Sequence, residues 1–250
     1  MSCWYEKYYW RAGFKSRLYD LLTPESYLES MRKTVALLPD GEHLKIWDAG
    51  CGTGLLLEYL ANAFKREMVY YGSDLLLTGL QQVQMRAQEL KVLDRVACFQ
   101  NDLTAAPAFK QNTLDVVVAH FSIYTLRDNH KRKLALQHMY QVLKPGGLLL
   151  VCCPSKNYDA GSIIKESCEL LRARRGFLQT AIKRIFFYPI TKVLGLNFIH
   201  KQLQSGKWMA YTREGLAEEL QQAGFEIGHS ETVYAGGAYL VCGHKIEGSG

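Results

Sequence analysis

The sequence predicts an α/β fold: a doubly wound, mostly parallel sheet with an N-terminal helical lid and an inserted helical cover. Three observations carry this expectation. Short runs such as Leu114–His120 are apolar at nearly every position, as strands buried on both faces must be. Such runs alternate with helix-period segments at the spacing of βαβ units. The first run ends in a glycine-rich turn, Gly50-Cys51-Gly52-Thr53-Gly54, placed where a strand gives way to a helix.

The elements run in order along the chain. Residues 1–27 are crowded with aromatics, among them Trp4, Tyr8, Trp10, Phe14 and Tyr19. A helix begins at Pro24, carries Leu28, Met31, Val35 and Leu38 on one face, and ends at Pro39-Asp40-Gly41. Leu44–Ala49 reads as the first strand and Leu55–Phe64 as a helix. Met68–Ser73 is the second strand, followed by a helix to about Leu90, and Val96–Gln100 is the third. Leu114–His120 is the fourth strand, and Lys131–Leu143 a helix. Lys144-Pro145-Gly146-Gly147 is a turn into a fifth strand, Leu148–Cys153. After an insertion at 155–207, a helix over Thr212–Ala223 is capped by Thr212 and stopped by Gly224. Phe225–Val233 and Ala238–Gly243 bring the sheet to seven strands. The expected organisation is one domain over 1–246. It comprises a lid (1–43), a core (44–154), the insertion (155–207) and a C-terminal helix with its strands (208–246). Glu247-Gly248-Ser249-Gly250 reads as a linker tail.

A chain of 250 residues, 48% hydrophobic and 22% charged, can bury a sizeable core, and that composition excludes general disorder. No apolar run reaches the roughly 18 residues of a spanning helix. The opening Met1–Lys7 lacks the apolar stretch of a secretory signal. Seven scattered cysteines with no Cys-x-x-Cys pair read as free thiols in a reducing cytoplasm, and no metal site is expected. The net charge of +6 is unevenly spread. From Leu170 to Lys207 there is no acidic residue. That stretch holds Arg172, Arg174, Arg175, Lys183, Arg184, Lys192, Lys201 and Lys207, so the rest of the chain is slightly acidic.

The chemistry gathers at the strand ends. Glycines at a strand-to-helix turn let a ligand approach the backbone and the free N–H groups of the helix. A dinucleotide fingerprint needs glycine at position 55, where this chain has Leu55; its third glycine, Gly54, comes one residue early. Asp48 would face a pyrophosphate unfavourably and suits a ligand with an ammonium group. Asp74 ends the second strand, where a carboxylate can take both ribose hydroxyls. Asn101-Asp102-Leu103 follows the third strand, and Leu143-Lys144-Pro145-Gly146-Gly147 precedes the fifth.

Taken together, this set resembles the class I S-adenosylmethionine (SAM)-dependent methyltransferases, over residues 44–153 and more weakly over Tyr211–Phe225. The general likeness is to the small-molecule branch that includes the ubiquinone/menaquinone-biosynthesis C-methyltransferases. The resemblance implies a Rossmann-like fold and SAM as cofactor. It implies that Gly50, Cys51, Gly52 and Gly54 line the methionine part and that Asp48 orients the turn or the amino group. Asp74 is then the ribose ligand and Asp102 the adenine ligand, with Leu75 and Leu103 packing on the base. His120 and Phe121 close over the methyl donor, and Tyr19 belongs to a covering lid. Enzymes that methylate exocyclic base amines resemble one another in an Asn/Asp-Pro-Pro-Tyr/Phe tetrapeptide at the fourth strand. Ala119-His120-Phe121-Ser122 stands there instead, so that substrate class is not expected, and no nucleic-acid partner is.

An acceptor oxygen or acidic carbon needs a base, and His120 is the best-placed candidate because an unperturbed imidazole titrates near neutrality. Tyr124 is a second, for contact with substrate or cofactor. In the insertion, Leu171, Leu178, Ile182 and Ile185 share one helical face, with basic residues mostly elsewhere. Residues 170–207 therefore read either as a cover facing an anionic membrane or as a lid closing the pocket with its apolar face. The leading functional reading is methylation of a small lipophilic acceptor (a quinone precursor, isoprenoid or lipid), in the cytoplasm or peripherally at a membrane. A soluble-metabolite methyltransferase and a non-catalytic SAM-binding partner subunit are the alternatives.

Overall fold

The structure is a computed structural model that describes residues 21–65 and 67–246. Tyr19, the aromatic cluster before it and the tail at 247–250 lie outside the described residues.

A seven-stranded sheet in the order β3-β2-β1-β4-β5-β7-β6 forms the centre. Its strands are β1 (Lys45–Ala49), β2 (Val69–Asp74), β3 (Val96–Gln100), β4 (Leu114–His120), β5 (Leu143–Pro154), β6 (Phe225–Val233) and β7 (Ala238–Lys245). The first five run parallel, and β7 is antiparallel to both β5 and β6. The longer helices are α1 (Glu25–Ala36), α2 (Leu77–Glu89), α3 (Asn129–Val142), α4 (Ala160–Ile182), α5 (Asn197–Gln204) and α6 (Arg213–Gln222). From β1 the chain winds outward to β2 and β3, then returns to place β4 on the other side of β1. The strand order reverses there, and the crevice at the carboxyl ends of β1 and β4 is where ligands bind in such sheets.

The central strands are as apolar as their sequence requires. Val116, Val117, Val118 and Ala119 of β4 are buried between two cores, one on each face of the sheet. Each large aliphatic side chain so placed contributes roughly 1.5–3 kcal/mol.

Several elements depart from expectation. The Leu55–Phe64 helix is two single turns, Leu56–Tyr59 and Ala61–Phe64, because Leu60 N–H is shared between Leu56 O (3.2 Å) and Leu57 O (3.1 Å). The Lys144–Gly147 turn is absorbed into β5: Leu143 pairs with Leu114, and a register irregularity precedes the Val116–Leu148 pair. In α1 the fully buried stripe includes Ser26, Ser30 and Thr34, while Leu28, Val35 and Leu38 are half-buried. Of these, Ser26 faces α4: its N–H donates to Ser167 Oγ (3.1 Å) and the two hydroxyls meet at 2.9 Å.

The insertion, open to two readings from its sequence, turns most of its apolar face outward. Of the expected apolar face only Leu171 is buried; Leu178 is 73% and Ile185 64% exposed. Gly176 explains this, since its φ of 81° and ψ of −179° break the path of α4 and rotate the residues beyond it. Past Ile182 the chain continues through π turns at Lys183–Phe187 and Thr191–Leu196 into α5. Among the described residues no helix is long and apolar enough to cross a membrane.

Candidate active site

The glycine turn is built by contacts that exclude side chains. Gly50 has φ 87°, and a Cβ there would lie 2.4 Å from Ser122 Cβ. Gly54 has φ 73°, and a Cβ there would lie 2.9 Å from Val83 of α2. The N–H groups of Gly50 and Cys51 donate to Ser73 O at 2.8 and 2.9 Å, anchoring the turn to β2.

Asp74 ties the turn down from the neighbouring strand. Its Oδ2 accepts from Gly52 N–H and its Oδ1 from Leu76 N–H, both at 2.9 Å. Each oxygen keeps a lone pair for a ligand hydroxyl. Desolvation raises its pKa, partly offset by those backbone donors. Asp48 is buried at 3% exposure and accepts from Tyr70 Oη–H at 2.7 Å. Burial, with the nearby charge of Asp74, pushes its carboxyl up to about 7. No cation neutralises it within the chain among the described residues. Asp102 is exposed; Thr104 donates to its Oδ1 through N–H (2.9 Å) and hydroxyl (2.8 Å), which holds its pKa below the usual carboxylate value. Burial pushes the Cys51 thiol well up, so it is an inert wall.

At the end of β4, His120 is buried, and its Nε2 lies 3.0 Å from Ser30 Oγ. Ser30 Oγ also sits 2.8 Å from Tyr27 O, a carbonyl that can only accept. The single hydroxyl proton is therefore committed to Tyr27, and Ser30 accepts from His120 Nε2–H. That leaves Nδ1 with the lone pair, buried and without a partner. Burial lowers the imidazole to about 3, so the expectation of a group titrating near neutrality does not hold: His120 is a neutral acceptor. Phe121 comes next with φ 52°, a left-handed conformation costly for a large residue. Its ring packs against Tyr27, Tyr234 and His120.

These groups line one cavity of about 470 Å³. It brings together Asp48, Gly50, Cys51, Gly52, Asp74, Leu75, Asp102, Leu103, His120, Phe121 and Tyr124. Gly54 does not line it; it lets the turn pack against α2. The sequence reading did not single out Ser122, Trp208 and Tyr234 on the walls; Tyr27 it placed in the covering N-terminal region, and Thr191, Gly195, Leu196 and Ile199 in the inserted cover, without assigning them to the site. Ser122 could have been found beside His120 and Phe121; Tyr234 stands in the β6–β7 hairpin turn, where nothing local marks it.

The residues fit SAM. Besides His120 Nδ1, two buried polar atoms on this wall, Asn101 Nδ2 and Ser122 Oγ, have no partner. A desolvated carboxylate awaits a cation at Asp48, and the glycine turn forms a cradle that side chains would fill.

Comparison with known proteins agrees. Residues 46–147 match a family model described as a methyltransferase domain. The carboxy-S-adenosyl-L-methionine synthase of Trichodesmium erythraeum is 26% identical over 146 residues, covering 56% of this chain and 54% of that protein. The chain thus spans about half the length of this curated relative. A SAM-dependent methyltransferase structure from Aquifex aeolicus superposes with TM-score 0.62 at 17% identity, covering 93% of this chain and 98% of that one. A geranyl diphosphate methyltransferase in complex with geranyl diphosphate and sinefungin gives 0.60 at 12% identity, covering 88% and 77%. At these identities the structures speak for the fold. Residues 46–147 thus match a methyltransferase domain, and the fold is that of SAM-dependent methyltransferase structures.

Proposed function

We propose that the protein transfers a methyl group from SAM to a small lipophilic acceptor such as a quinone precursor, isoprenoid or lipid, working peripherally at a membrane. The observation that carries this is the cavity's wall away from the glycine turn. Tyr27, Phe121, Tyr124, Trp208, Leu196 and Ile199 make it aromatic and aliphatic, suited to an apolar guest. A structural neighbour described as holding geranyl diphosphate supports an isoprenoid-like guest for this fold.

When bound, SAM supplies an electrophilic methyl group. In this reading Asp48 holds the ammonium group, Asp74 the ribose hydroxyls and Asp102 the adenine amine, with Leu75 and Leu103 covering the base. The protein's remaining task is to align the acceptor and exclude water. His120 Nδ1 accepts a hydrogen bond from the acceptor's reacting O–H or N–H and so orients its lone pair, Ser30 holds the imidazole in the tautomer that permits this, and the methylated acceptor sheds its proton to water on release. Tyr124 packs behind Phe121 and against Trp208 (ring centroids 6.2 and 5.4 Å) as part of the acceptor's wall.

The test is incubation with methyl-labelled SAM and a cell extract, followed by partition of the label. Label in the organic phase is expected. Label confined to the aqueous phase would replace the lipophilic acceptor with a soluble metabolite. Tight SAM binding without transfer to any fraction would favour a non-catalytic SAM-binding subunit.

A further inference from the structure

We infer that the outer face of the insertion, residues 172–194, docks on an anionic lipid bilayer, so that the segment covering the cavity is the one seated in lipid. The inference deepens the lipophilic-acceptor reading by naming the partner surface, and rests on that reading only for its purpose.

Two faces of one segment carry it. The inner face contributes Thr191, Gly195 and Leu196 to the cavity wall. The outer face leaves Phe177 and Leu178 each 73% exposed, Ile185 and Val193 64%, and Phe186 63%. Isolated exposed apolar residues are ordinary, but large ones concentrated on one segment mark an interaction surface.

The charge identifies the partner. Arg172, Arg175, Arg184 and Lys192 are exposed on the same segment, and none has an acidic partner among the described residues. Arg174 differs, being paired with Glu25 and Glu29 of α1. No acidic residue occurs between Leu170 and Lys207 to weaken the field. A second copy of this face would set cation against cation, which disfavours self-association. Nucleic acid would match the charge and leave the phenylalanines in water. An anionic bilayer satisfies both, taking the rings below its headgroups and the cations at its phosphates. The Gly176 break makes this geometry: a continuous helix would carry Leu178 and Ile182 along the buried side of Leu171.

The experiment is sedimentation of the full chain with phosphatidylcholine vesicles, with and without phosphatidylglycerol. Binding to the mixed vesicles is expected to be at least about tenfold tighter than to the neutral ones. It should weaken as added salt shortens the Debye length from about 10 Å at 0.1 M to about 3 Å at 1 M. Phe177→Ser/Phe186→Ser should lose about tenfold or more. Arg172→Gln/Arg175→Gln/Arg184→Gln/Lys192→Gln should lose about 100-fold. Because the altered side chains are exposed, SAM affinity and melting temperature should be unchanged. The inference is overturned if neither vesicle sediments the protein, if both bind equally, or if the variants bind like the parent chain. It is also overturned if light scattering reveals a dimer that Phe177→Ser/Phe186→Ser dissociates. Calorimetric SAM binding, measured on the same protein, keeps the two readings apart: SAM binding without vesicle binding removes only the docking, and the converse removes only the methyltransferase reading.

Discussion

His120 and Asp48 are both buried titratable groups in one cavity, and burial acts on them in opposite directions. For His120 desolvation removes the charged form, and the Ser30–Tyr27 relay fixes which nitrogen keeps its lone pair. Replacing His120 with Ala should lower methyl transfer by about two- to tenfold, the worth of one orienting hydrogen bond, while leaving the dissociation constant for SAM within a few-fold. The transfer rate should show no step from His120 between pH 5 and 9; a titration in that window, seen in the rate or by histidine NMR, would remove the neutral-imidazole role. Asp48 predisposes the site to a cation. With its carboxyl near 7 before binding, a bound cation must favour the ionised form, so SAM affinity should rise with pH up to about 7 and then level off. Calorimetry in buffers of different ionisation enthalpy should register the released proton at pH 6. Linkage gives the sign for folding as well. A carboxyl whose folded value lies above its unfolded value of 3.8 contributes stability that is full below 3.8 and is lost as pH rises through about 7.

At the scale of elements, two glycines test two different costs. Gly50→Ala meets both a left-handed φ and a Cβ contact of 2.4 Å with Ser122, so the turn must shift, and SAM binding should fall below detection in a titration. Gly176→Ala meets nothing within 4 Å, so its cost is torsional alone. About 1–3 kcal/mol of stability should be lost in a urea melt unless the helix straightens. The ion pairs joining α1 to α4 form a third element-level device. Glu25, with its side chain 2% exposed, accepts from Arg32 at 2.8 Å and Arg174 at 3.1 Å. Removing that carboxylate, as in Glu25→Gln, should cost about 1.5–3 kcal/mol in the same melt, because hydrogen bonds to a charged group are lost from a buried position.

The whole molecule joins a rigid sheet that presents the site to an asymmetric cover. The sheet is tied by parallel pairing from β3 through β5 and places the carboxylates of Asp48 and Asp74 at adjacent strand ends. The cover is tied to it through α1, by the Ser26–Ser167 contact and the Glu25–Arg174 pair, and turns its cations and largest exposed rings outward. This architecture should make acceptor turnover, more than SAM affinity, depend on a lipid surface. Adding anionic vesicles to an assay with an apolar acceptor should lower KM for that acceptor and leave the dissociation constant for SAM unchanged.

Much of this was legible in the chain of residues. Strands β3, β4 and β6 have the limits read from the sequence; for β4 the reason is that a strand buried on both faces is apolar nearly throughout, whereas β3 and β6 are the part-exposed edges of the sheet. The glycine turn and the carboxylates at 48, 74 and 102 were legible because each sits at a strand end whose position the alternation of elements determines. Other features depended on distant partners. The tautomer of His120 rests on Ser30, ninety positions away. The recess of Gly54 from the cavity rests on Val83, and the wall position of Tyr234 on a hairpin returning from the far edge of the sheet. In the insertion, periodicity marked an amphipathic segment but left open whether its apolar face closes the pocket or faces outward. The positive φ of Gly176 turns most of that face outward. Local pattern determines that a face is apolar; the partner that covers it is decided only when the rest of the chain has packed.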